Sequence, residues 1–460
     1  MTGPWSDGTG DGWPRRTVLA TALLGTGGCL AEPESNDTDE IEESDGDSSD
    51  GTAESNEAAT EYDDSWPAFG FDATNVGHSP DAVGPTTGEV AWVVDGGTPT
   101  MNCSPIVADG TVYTAATGGD GGLFAIDPVS GSVHWEFETD GYASSASGFD
   151  GERCYVGTWD HRFHAIDAHT GEEVWTIEPG HRFGDSSPAV VDGVVYVGSY
   201  GDAPMVVSGP EDEERFETPA ILALEAETGE ERWRYDAFDE RDSISSSPAV
   251  AGGTVSVVTP TGELLALDAA NGTERWRRDL DAHSDSSPAV TGGVVYCPAG
   301  RTVDESDVRG GLWALEAETG EPLWSTEIDD VSLRTSPAIA DGVVYLAGST
   351  REVCPGLAED CEPSSSGTLY AIDADTGETQ WTADLEPDTR SSPAVADGTV
   401  YVGNGTTVSA IDVDGETNFQ VDLGTAEEAD DVRYLDSSPA VADGRAYVGA
   451  NDGQLYAIGK

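Results

Sequence analysis

The chain has 460 residues, and its 88 acidic against 20 basic side chains give a formal net charge of -68 and an isoelectric point near 4.1. Such a charge excludes nucleic acid as a partner, because nucleic-acid binding needs a basic surface. It would also destabilise a compact state by self-repulsion, except at molar salt, where the Debye length falls to about 3 Å. Because Asp and Glu are spread along the whole chain, the composition indicates a halophilic environment.

The first 28 residues have the features of an export signal. Arg15 and Arg16 precede a short apolar stretch that ends in small residues before Cys29. This stretch is too short to cross a bilayer, which needs roughly 20 residues, and the pattern resembles a twin-arginine signal joined to a lipobox. We therefore expect residues 1–28 to direct export and Cys29 to carry a lipid that anchors the protein at the outer face of the cell membrane.

An acidic tether follows at residues 29–65. It contains no basic residue and almost no bulky apolar side chain, so it cannot bury enough apolar area to offset the entropy lost on ordering. We predict that it is disordered and that repulsion between its like charges keeps it extended. It would hold residues 66–460 away from the membrane.

From about residue 100 the sequence repeats with a period of about 40 residues, which is typical of solenoids and propellers. Each unit has a head such as SSPAVADGTVYVG at 391–403, a middle such as TLYAID at 368–373, and a tail that carries an aromatic residue. Period-two alternation indicates strands, and Asp-Gly or Gly-Gly in the head fits a tight hairpin. The repeats predict four-stranded antiparallel meanders, with strands A to D in chain order, arranged as the blades of an all-β propeller.

Each tail contributes one aromatic side chain at a fixed place. A residue that recurs once per unit most simply packs one unit against the next. We expect this blade-docking role, in preference to stacking on a ligand, for Trp92, Trp135, Trp175, Trp233, Trp276, Trp324, Trp381 and Phe419.

The stretches AIDADTGETQW at 371–381 and ALEAETGEPLW at 314–324 resemble the tryptophan-docking motif of the PQQ-repeat, or quinoprotein alcohol dehydrogenase-like, propellers. The lead-in WPAFGFDATNVGHSP at 66–80 is similar to the usual entry of such domains. The resemblance covers residues 66–460 and implies eight blades. It leaves the activity open, because the family includes PQQ-dependent dehydrogenases and non-enzymatic lipoproteins of the BamB type, which this chain resembles most in kind.

The last repeat reaches Lys460 after its third strand, so its tail has to come from elsewhere. The segment PTTGEVAWVV at 85–94 has the turn glycine and the Trp of a tail but no head before it. We predict that this N-terminal strand completes the C-terminal blade. It would close a ring of eight four-stranded blades and leave no exposed sheet edge.

In a meander the A–B and C–D turns lie on one face of the ring, and the B–C and D–A loops lie on the other. All long insertions fall in the second set, at 203–219, 301–309, 350–366 and 421–435. Insertions confined to one face are typical of a binding surface, and neutral drift on a tolerant face explains them equally well. Cys354 and Cys361 lie in one insertion, and we expect them to form a small disulfide that stiffens it.

Strand A is expected to be innermost, so the residue before each S/T-S-P triad, or before its equivalent in blades 1 and 2, should line the mouth of the central channel. In order, these residues are Asn102, Ala143, Asp185, Ser245, Asp285, Arg334, Arg390 and Asp436. The candidates for binding are Asp285, Arg334, Arg390 and Asp436. Arginine side chains can hold a carboxylate or phosphate in two-point contact, but mutual salt bridges along the rim are the simpler interpretation and stay open beside it.

The sequence predicts no catalytic residue, no metal site and no resident cofactor. The resemblance would place PQQ beside an adjacent Cys-Cys pair, above a Trp floor and next to carboxylates on a calcium ion, but the chain has no adjacent Cys pair. Its cysteines Cys103, Cys154 and Cys297 lie far apart in the sequence. We expect each of them to be buried as a small apolar side chain.

The histidines of HRFH at 161–164 do not suggest a metal pair, because an odd spacing on a strand points the two side chains to opposite faces. His164 takes the place that Phe124 holds in another repeat, so we expect it to pack in the interior. His161, His181 and Arg182 form a second candidate site on the insertion-rich face.

These features favour an extracellular, membrane-anchored and monomeric propeller that acts as a non-catalytic protein-binding or scaffolding module. Its partner would be an extracellular or membrane protein. Two alternatives stay open: a PQQ- and calcium-dependent dehydrogenase with an atypical site, and a propeller that binds surface glycans. Sequons at Asn36, Asn271 and Asn404 are compatible with surface glycosylation.

Overall fold

The computed structural model describes residues 65–98, 100–117, 121–201, 218–236, 238, 243–304, 307–329, 331–351, 365–424 and 434–460, together with a strand at Ala20–Ala22. Regular structure in these ranges consists of β-strands, without a helix. Accordingly, no helix long and apolar enough to span a bilayer occurs among the described residues.

The strands in chain order are β1 (Ala20–Ala22), β2 (His78–Ser79), β3 (Val90–Asp95), β4 (Ile106–Ala108), β5 (Thr111–Ala116), β6 (Gly122–Ile126), β7 (Val133–Glu138), β8 (Gly148–Phe149), β9 (Arg153–Gly157), β10 (Phe163–Asp167), β11 (Glu173–Ile177), β12 (Ala189–Val191), β13 (Val194–Gly198), β14 (Ile221–Glu225), β15 (Glu231–Tyr235), β16 (Ala249–Ala251), β17 (Thr254–Val258), β18 (Glu263–Asp268), β19 (Glu274–Asp279), β20 (Ala289–Thr291), β21 (Val294–Asp304), β22 (Asp307–Glu316), β23 (Pro322–Asp329), β24 (Ala338–Ala340), β25 (Val343–Arg351), β26 (Ser365–Asp373), β27 (Thr379–Leu385), β28 (Ala394–Ala396), β29 (Thr399–Asn404), β30 (Thr407–Asp412), β31 (Thr417–Asp422), β32 (Ala440–Ala442), β33 (Arg445–Gly449) and β34 (Gln454–Gly459).

Eight antiparallel meanders form the blades. Blades 1 to 7 are β4–β7, β8–β11, β12–β15, β16–β19, β20–β23, β24–β27 and β28–β31, and blade 8 is β32–β34 completed by β3. The two remaining short strands add to these sheets: β1 pairs with the outer edge of β3, and β2 pairs in parallel with the inner edge of β28. The predicted all-β, eight-bladed propeller is therefore confirmed.

The ring is closed as predicted, because β3 pairs antiparallel with β34 and sets Trp92 opposite Ala457. The N-terminal strand thus supplies strand D of the C-terminal blade. Trp92 is 1% exposed, its indole N–H donates to the Pro128 carbonyl of blade 1 at 3.0 Å, and its ring lies against Gly131. Gly131 has a φ of 71° and no room for a side chain, so only glycine fits below the indole.

The same contact recurs between neighbouring blades. The indole N–H groups of Trp135, Trp175, Trp233, Trp276, Trp324 and Trp381 each donate to a carbonyl of the next blade at 2.9–3.0 Å. Phe419, which has no N–H, packs against Gly88 just before β3. These eight aromatic residues join the blades, which is the docking role that their repetition indicates.

Residues 66–79 run across the central channel instead of lying outside the ring. Trp66 exchanges two backbone hydrogen bonds with Val107 of blade 1, at 2.7 and 2.9 Å. Further along, backbone carbonyls of the segment accept hydrogen bonds from strand A of blades 4, 5, 6 and 7. The chain then leaves the channel on the turn face, where the Val83 carbonyl accepts a hydrogen bond from Gly444 of an A–B turn. This segment closes one end of the channel.

Candidate functional site

A cavity of about 500 Å³ lies on the propeller axis above the segment that closes the channel. Phe69 of that segment forms part of its floor. Its walls come from the start of strand A in all eight blades, and its mouth includes Tyr200 and Pro260 from B–C loops. The cavity therefore opens on the face that carries the B–C and D–A loops.

A ring of serines forms the wall below the mouth. The backbone N–H of the second serine in one blade donates to the hydroxyl of the matching serine in the next blade, as from Ser187 to Ser247 at 3.0 Å and from Ser247 to Ser287 at 2.9 Å. The ring comprises Ser187, Ser247, Ser287, Ser336, Ser392, Ser438 and Ser104. Recurrence of serine at this place was a usable signal in the sequence, but its role as a link between blades was not predicted.

In blade 2 the start of strand A is shifted by one residue relative to the alignment of the repeated sequences. Gly148 pairs with Tyr155 as Ala189 pairs with Tyr196 in blade 3, so Ser144 stands where blade 3 has Asp185. The expectation that Ala143 lines the mouth is wrong: Ala143 is fully buried, and Ser144 lines the cavity. The cause is the A–B turn of blade 2, where Phe149 pairs with Cys154, so that the turn falls on Gly151 and Glu152 and not on Asp150 and Gly151.

The four predicted rim candidates come together at the mouth. They are Asp285, Arg334, Arg390 and Asp436, and all of them line the cavity. Arg334 Nε lies 3.7 Å from Asp285, and Arg390 Nη1 lies 3.9 Å from Asp436. These are loose ion pairs, longer than hydrogen bonds, and exposed pairs of this kind contribute little to stability.

Asp436 has an unusual environment for a carboxylate. Burial raises its pKa, the charge of Asp388 raises it further, and Arg390 opposes both effects. Its Oδ1 is buried and accepts no hydrogen bond from any residue that the structure describes. An unsatisfied buried acceptor favours a donor brought by a ligand or by water.

A network of aromatic and acidic groups lies on the blade 2 and blade 3 side of the mouth. Asp185 accepts hydrogen bonds from the Tyr200 hydroxyl at 2.6 Å and from the Ser144 hydroxyl at 3.1 Å. The indole N–H of Trp159 donates to Ser144 at 3.0 Å, and the rings of Trp159 and Tyr200 are 5.6 Å apart. Sequence reasoning missed Trp159 and Tyr200, because both lie in loops outside the repeated pattern.

The residues of the second candidate site lie in two loops: His161 in the B–C loop of blade 2, and His181 and Arg182 in the D–A loop before blade 3. His181 is 2% exposed and its Nε2 lies 2.9 Å from Arg234 Nη1, while His161 contacts the backbone carbonyl of Gly180 at 3.4 Å. Arg182 contributes through its backbone, whose carbonyl accepts a hydrogen bond from Tyr200 N–H at 2.9 Å. No group of three or more His, Cys, Asp or Glu side chains within the described ranges could hold a metal ion.

The residues of the cavity do not fit a quinone site of the kind that the resemblance implies. Cys103, Cys154 and Cys297 are free, fully buried and located in blades 1, 2 and 5, and burial raises the pKa of each thiol. The resemblance implies a Trp floor below the cofactor, whereas serine hydroxyls surround this cavity and Phe69 is at its floor. We derive no redox step from these residues.

Several predictions fall outside the described residues. They concern Arg15, Arg16, Cys29, Asn36, Cys354 and Cys361, and most of the insertions. Of the sequons inside, Asn271 is exposed at a C–D turn. Asn404 is fully buried, and its amide donates to the Glu386 carbonyl at 2.8 Å and accepts from the Ser409 hydroxyl at 2.9 Å, so it is not a surface acceptor.

Comparisons with known proteins agree with this architecture. The quinohemoprotein alcohol dehydrogenase of Comamonas testosteroni is 30% identical over 250 residues, which are 49% of this chain and 32% of that protein. The chain thus spans about a third of that relative's length. The crystal structure of the quinohemoprotein alcohol dehydrogenase from Comamonas testosteroni superposes with a TM-score of 0.64 at 18% identity, covering 86% of this chain and 81% of that one.

The structure of BamB from Moraxella catarrhalis superposes with a TM-score of 0.55 at 18% identity, over 78% of this chain and 94% of that one. Likeness at such identities concerns the fold alone. The family described as outer membrane protein assembly factor BamB matches residues 81–209, 218–358 and 365–460. These ranges include every blade, and the chain therefore belongs to this family.

Proposed function

We propose that the protein is an exported, lipid-anchored propeller that acts as a non-catalytic binding or scaffolding module for an extracellular or membrane protein. One observation carries the proposal: the axial cavity opens on the face of the B–C and D–A loops, while residues 66–79 cross the opposite end of the channel. A partner that docks on these loops can reach the axis. On the turn-face side of the cavity, the described residues 66–79 cross the channel.

The loops that would contact the partner adjoin residues of the cavity in the sequence. Tyr200 lines the mouth directly before the insertion at 203–219, and Asp436 lines it directly after the insertion at 421–435. Insertion residues and cavity residues would therefore act as one contact surface. Export is supported by Arg15, Arg16 and Cys29, and the net charge of -68 suits a protein that works in concentrated salt.

Affinity capture from salt-extracted membranes tests the proposal. The bait is the full chain, compared with a variant whose insertions 203–219 and 350–366 are replaced by short Gly-Ser linkers. A matched control alters the turn face through Val129→Ser and Val413→Ser, which are 60% and 41% exposed. We expect the trimmed bait to lose partners that the full chain and the control retain. If the trimmed bait retains every partner, the proposal is wrong.

A PQQ-dependent dehydrogenase is the second candidate, because a quinohemoprotein alcohol dehydrogenase is 30% identical over an aligned region that covers 49% of the chain. The serine walls and separated cysteines argue against it. Titration of the purified protein with PQQ and Ca²⁺ in molar KCl, followed by an alcohol and dye-acceptor assay, separates the two functions. Saturable PQQ binding with turnover would favour the dehydrogenase.

A further inference from the structure

The two arginines of the cavity and Asp185 lie on opposite sides of the propeller axis. In a ring of eight blades, equivalent residues four blades apart face each other across the axis. Arg390 of blade 7 therefore faces Asp185 of blade 3, and Arg334 of blade 6 faces Ser144 of blade 2. One side of the mouth carries Arg334 and Arg390, flanked by Asp285 and Asp436, and the opposite side combines Asp185 with aromatic groups.

The side with Arg334 and Arg390 has hydrogen-bond donors available for a ligand. Among the described residues, Arg334 and Arg390 have one carboxylate neighbour each, at 3.7 and 3.9 Å, and more than half of each side chain is exposed, 56% and 51%. A guanidinium carries five N–H donors in a planar fork that matches a carboxylate. Two such groups on adjacent blades can hold a carboxylate that enters along the axis.

The opposite side is suited to an ammonium group. Asp185 is held by Tyr200 and Ser144, and the ring of Trp159 stands beside that of Tyr200 at the mouth. A cation is attracted both by the fixed carboxylate and by the faces of aromatic rings. Burial also raises the pKa of Tyr200, so that its hydroxyl stays a neutral donor to Asp185.

We propose that the cavity binds a small zwitterion, a short peptide, with its carboxylate at Arg334 and Arg390 and its ammonium group at Asp185. A simple anion would meet the acidic residues of the mouth, and a simple cation would meet the two arginines. A tripeptide is at most about 10 Å long, and a volume of about 500 Å³ is typical of ligand sites. The inference goes beyond the proposed function, because it needs no protein partner.

Calorimetric titration in molar KCl tests the inference with three probes: triglycine, N-acetyltriglycine, which lacks the ammonium group, and triglycine amide, which lacks the carboxylate. We expect triglycine to bind at least about tenfold more tightly than either modified probe, because loss of one charge-assisted contact weakens binding by about that factor. Arg390→Gln should weaken triglycine and N-acetyltriglycine and leave triglycine amide unchanged. Asp185→Asn should do the reverse, weakening triglycine and the amide only.

The probe that each variant still binds as well as the wild-type protein serves as its folding control. The inference is overturned if triglycine gives no binding heat at millimolar concentration, if the three probes bind equally, or if each variant weakens all probes alike. Loss of triglycine binding alone would leave the proposed protein-binding role intact, because that role is tested by capture with the insertions removed.

Discussion

The backbone N–H of Ser438 donates a hydrogen bond of 2.9 Å to the hydroxyl of Ser104, across 334 residues of sequence. This contact joins blade 8 to blade 1 within the wall of the cavity. Ring closure and the shape of the site therefore depend on the same set of residues. A substitution in the serine ring should therefore change both the unfolding free energy and the shape of the cavity mouth.

Ser187→Ala tests the serine ring. The Ser187 hydroxyl is buried and accepts a hydrogen bond of 3.1 Å from the N–H of Ala146 in blade 2. Loss of this acceptor leaves a buried donor without its partner, which costs about 1–3 kcal/mol of unfolding free energy. Native-state hydrogen exchange should show faster exchange at the amide of Ala146.

The amide of Ser187 itself is the internal control for this experiment, because its own bond to the Ser247 hydroxyl is unaffected by the substitution. Equal acceleration at both amides would mean that the variant loosens the blades generally. Unchanged exchange at Ala146 would contradict the proposed role of the hydroxyl.

Trp92→Ala tests the closure of the ring. The side chain is 1% exposed and contacts blade 1, so its loss leaves a cavity at the joint and should lower the unfolding free energy by about 3–5 kcal/mol. Trp159→Ala is the matched control, because Trp159 is 37% exposed in the B–C loop of blade 2. We expect the control to cost less than about 1 kcal/mol in denaturant unfolding at molar salt. Similar losses in the two variants would contradict the docking role of Trp92.

His164→Phe tests the effect of a buried histidine on acid stability. His164 lies in β10 opposite Val156, as Phe124 lies opposite Thr114 in blade 1. Its Nε2 is buried without a hydrogen bond from a described residue, and burial lowers its pKa below the ordinary 6.5 although Glu173 opposes this. The folded state therefore binds fewer protons than the unfolded state between its lowered pKa and 6.5.

It follows that the unfolding free energy of the wild-type protein falls as pH drops below 6.5 towards the lowered pKa of His164. The phenylalanine variant should lose this dependence. We expect stabilities within about 1 kcal/mol of each other near about pH 8 and a relative gain for the variant near about pH 5. Parallel stability curves over this range would show that His164 titrates normally in the folded protein.

The repeated parts of the molecule could be predicted from the sequence, because each blade presents the same strands, turns and docking residue. The sequence around Trp92 identified the segment that supplies strand D of the last blade. Asp109-Gly110, with φ of 48° and 66°, forms the predicted hairpin turn. Arg334 and Arg390 also lie at the mouth, since position within the repeat determines distance from the axis.

The unrepeated parts could not be predicted in the same way. Residues 66–79 have no counterpart in the other blades, and their place in the channel depends on backbone hydrogen bonds to several blades at once. Ala143 was misplaced because alignment by sequence letters hides a one-residue shift in the hairpin of blade 2. Trp159 and Tyr200 meet only because two loops converge above Asp185.

Site-specific photo-crosslinking in native membranes tests most directly whether the partner binds the insertion-rich face. A photoreactive phenylalanine analogue at Tyr142, 54% exposed in the D–A loop before blade 2, is compared with one at Val129, 60% exposed in a C–D turn on the opposite face. We predict a crosslinked protein adduct from position 142 and none from position 129. Adducts from position 129 alone, or equally from both positions, would contradict the account.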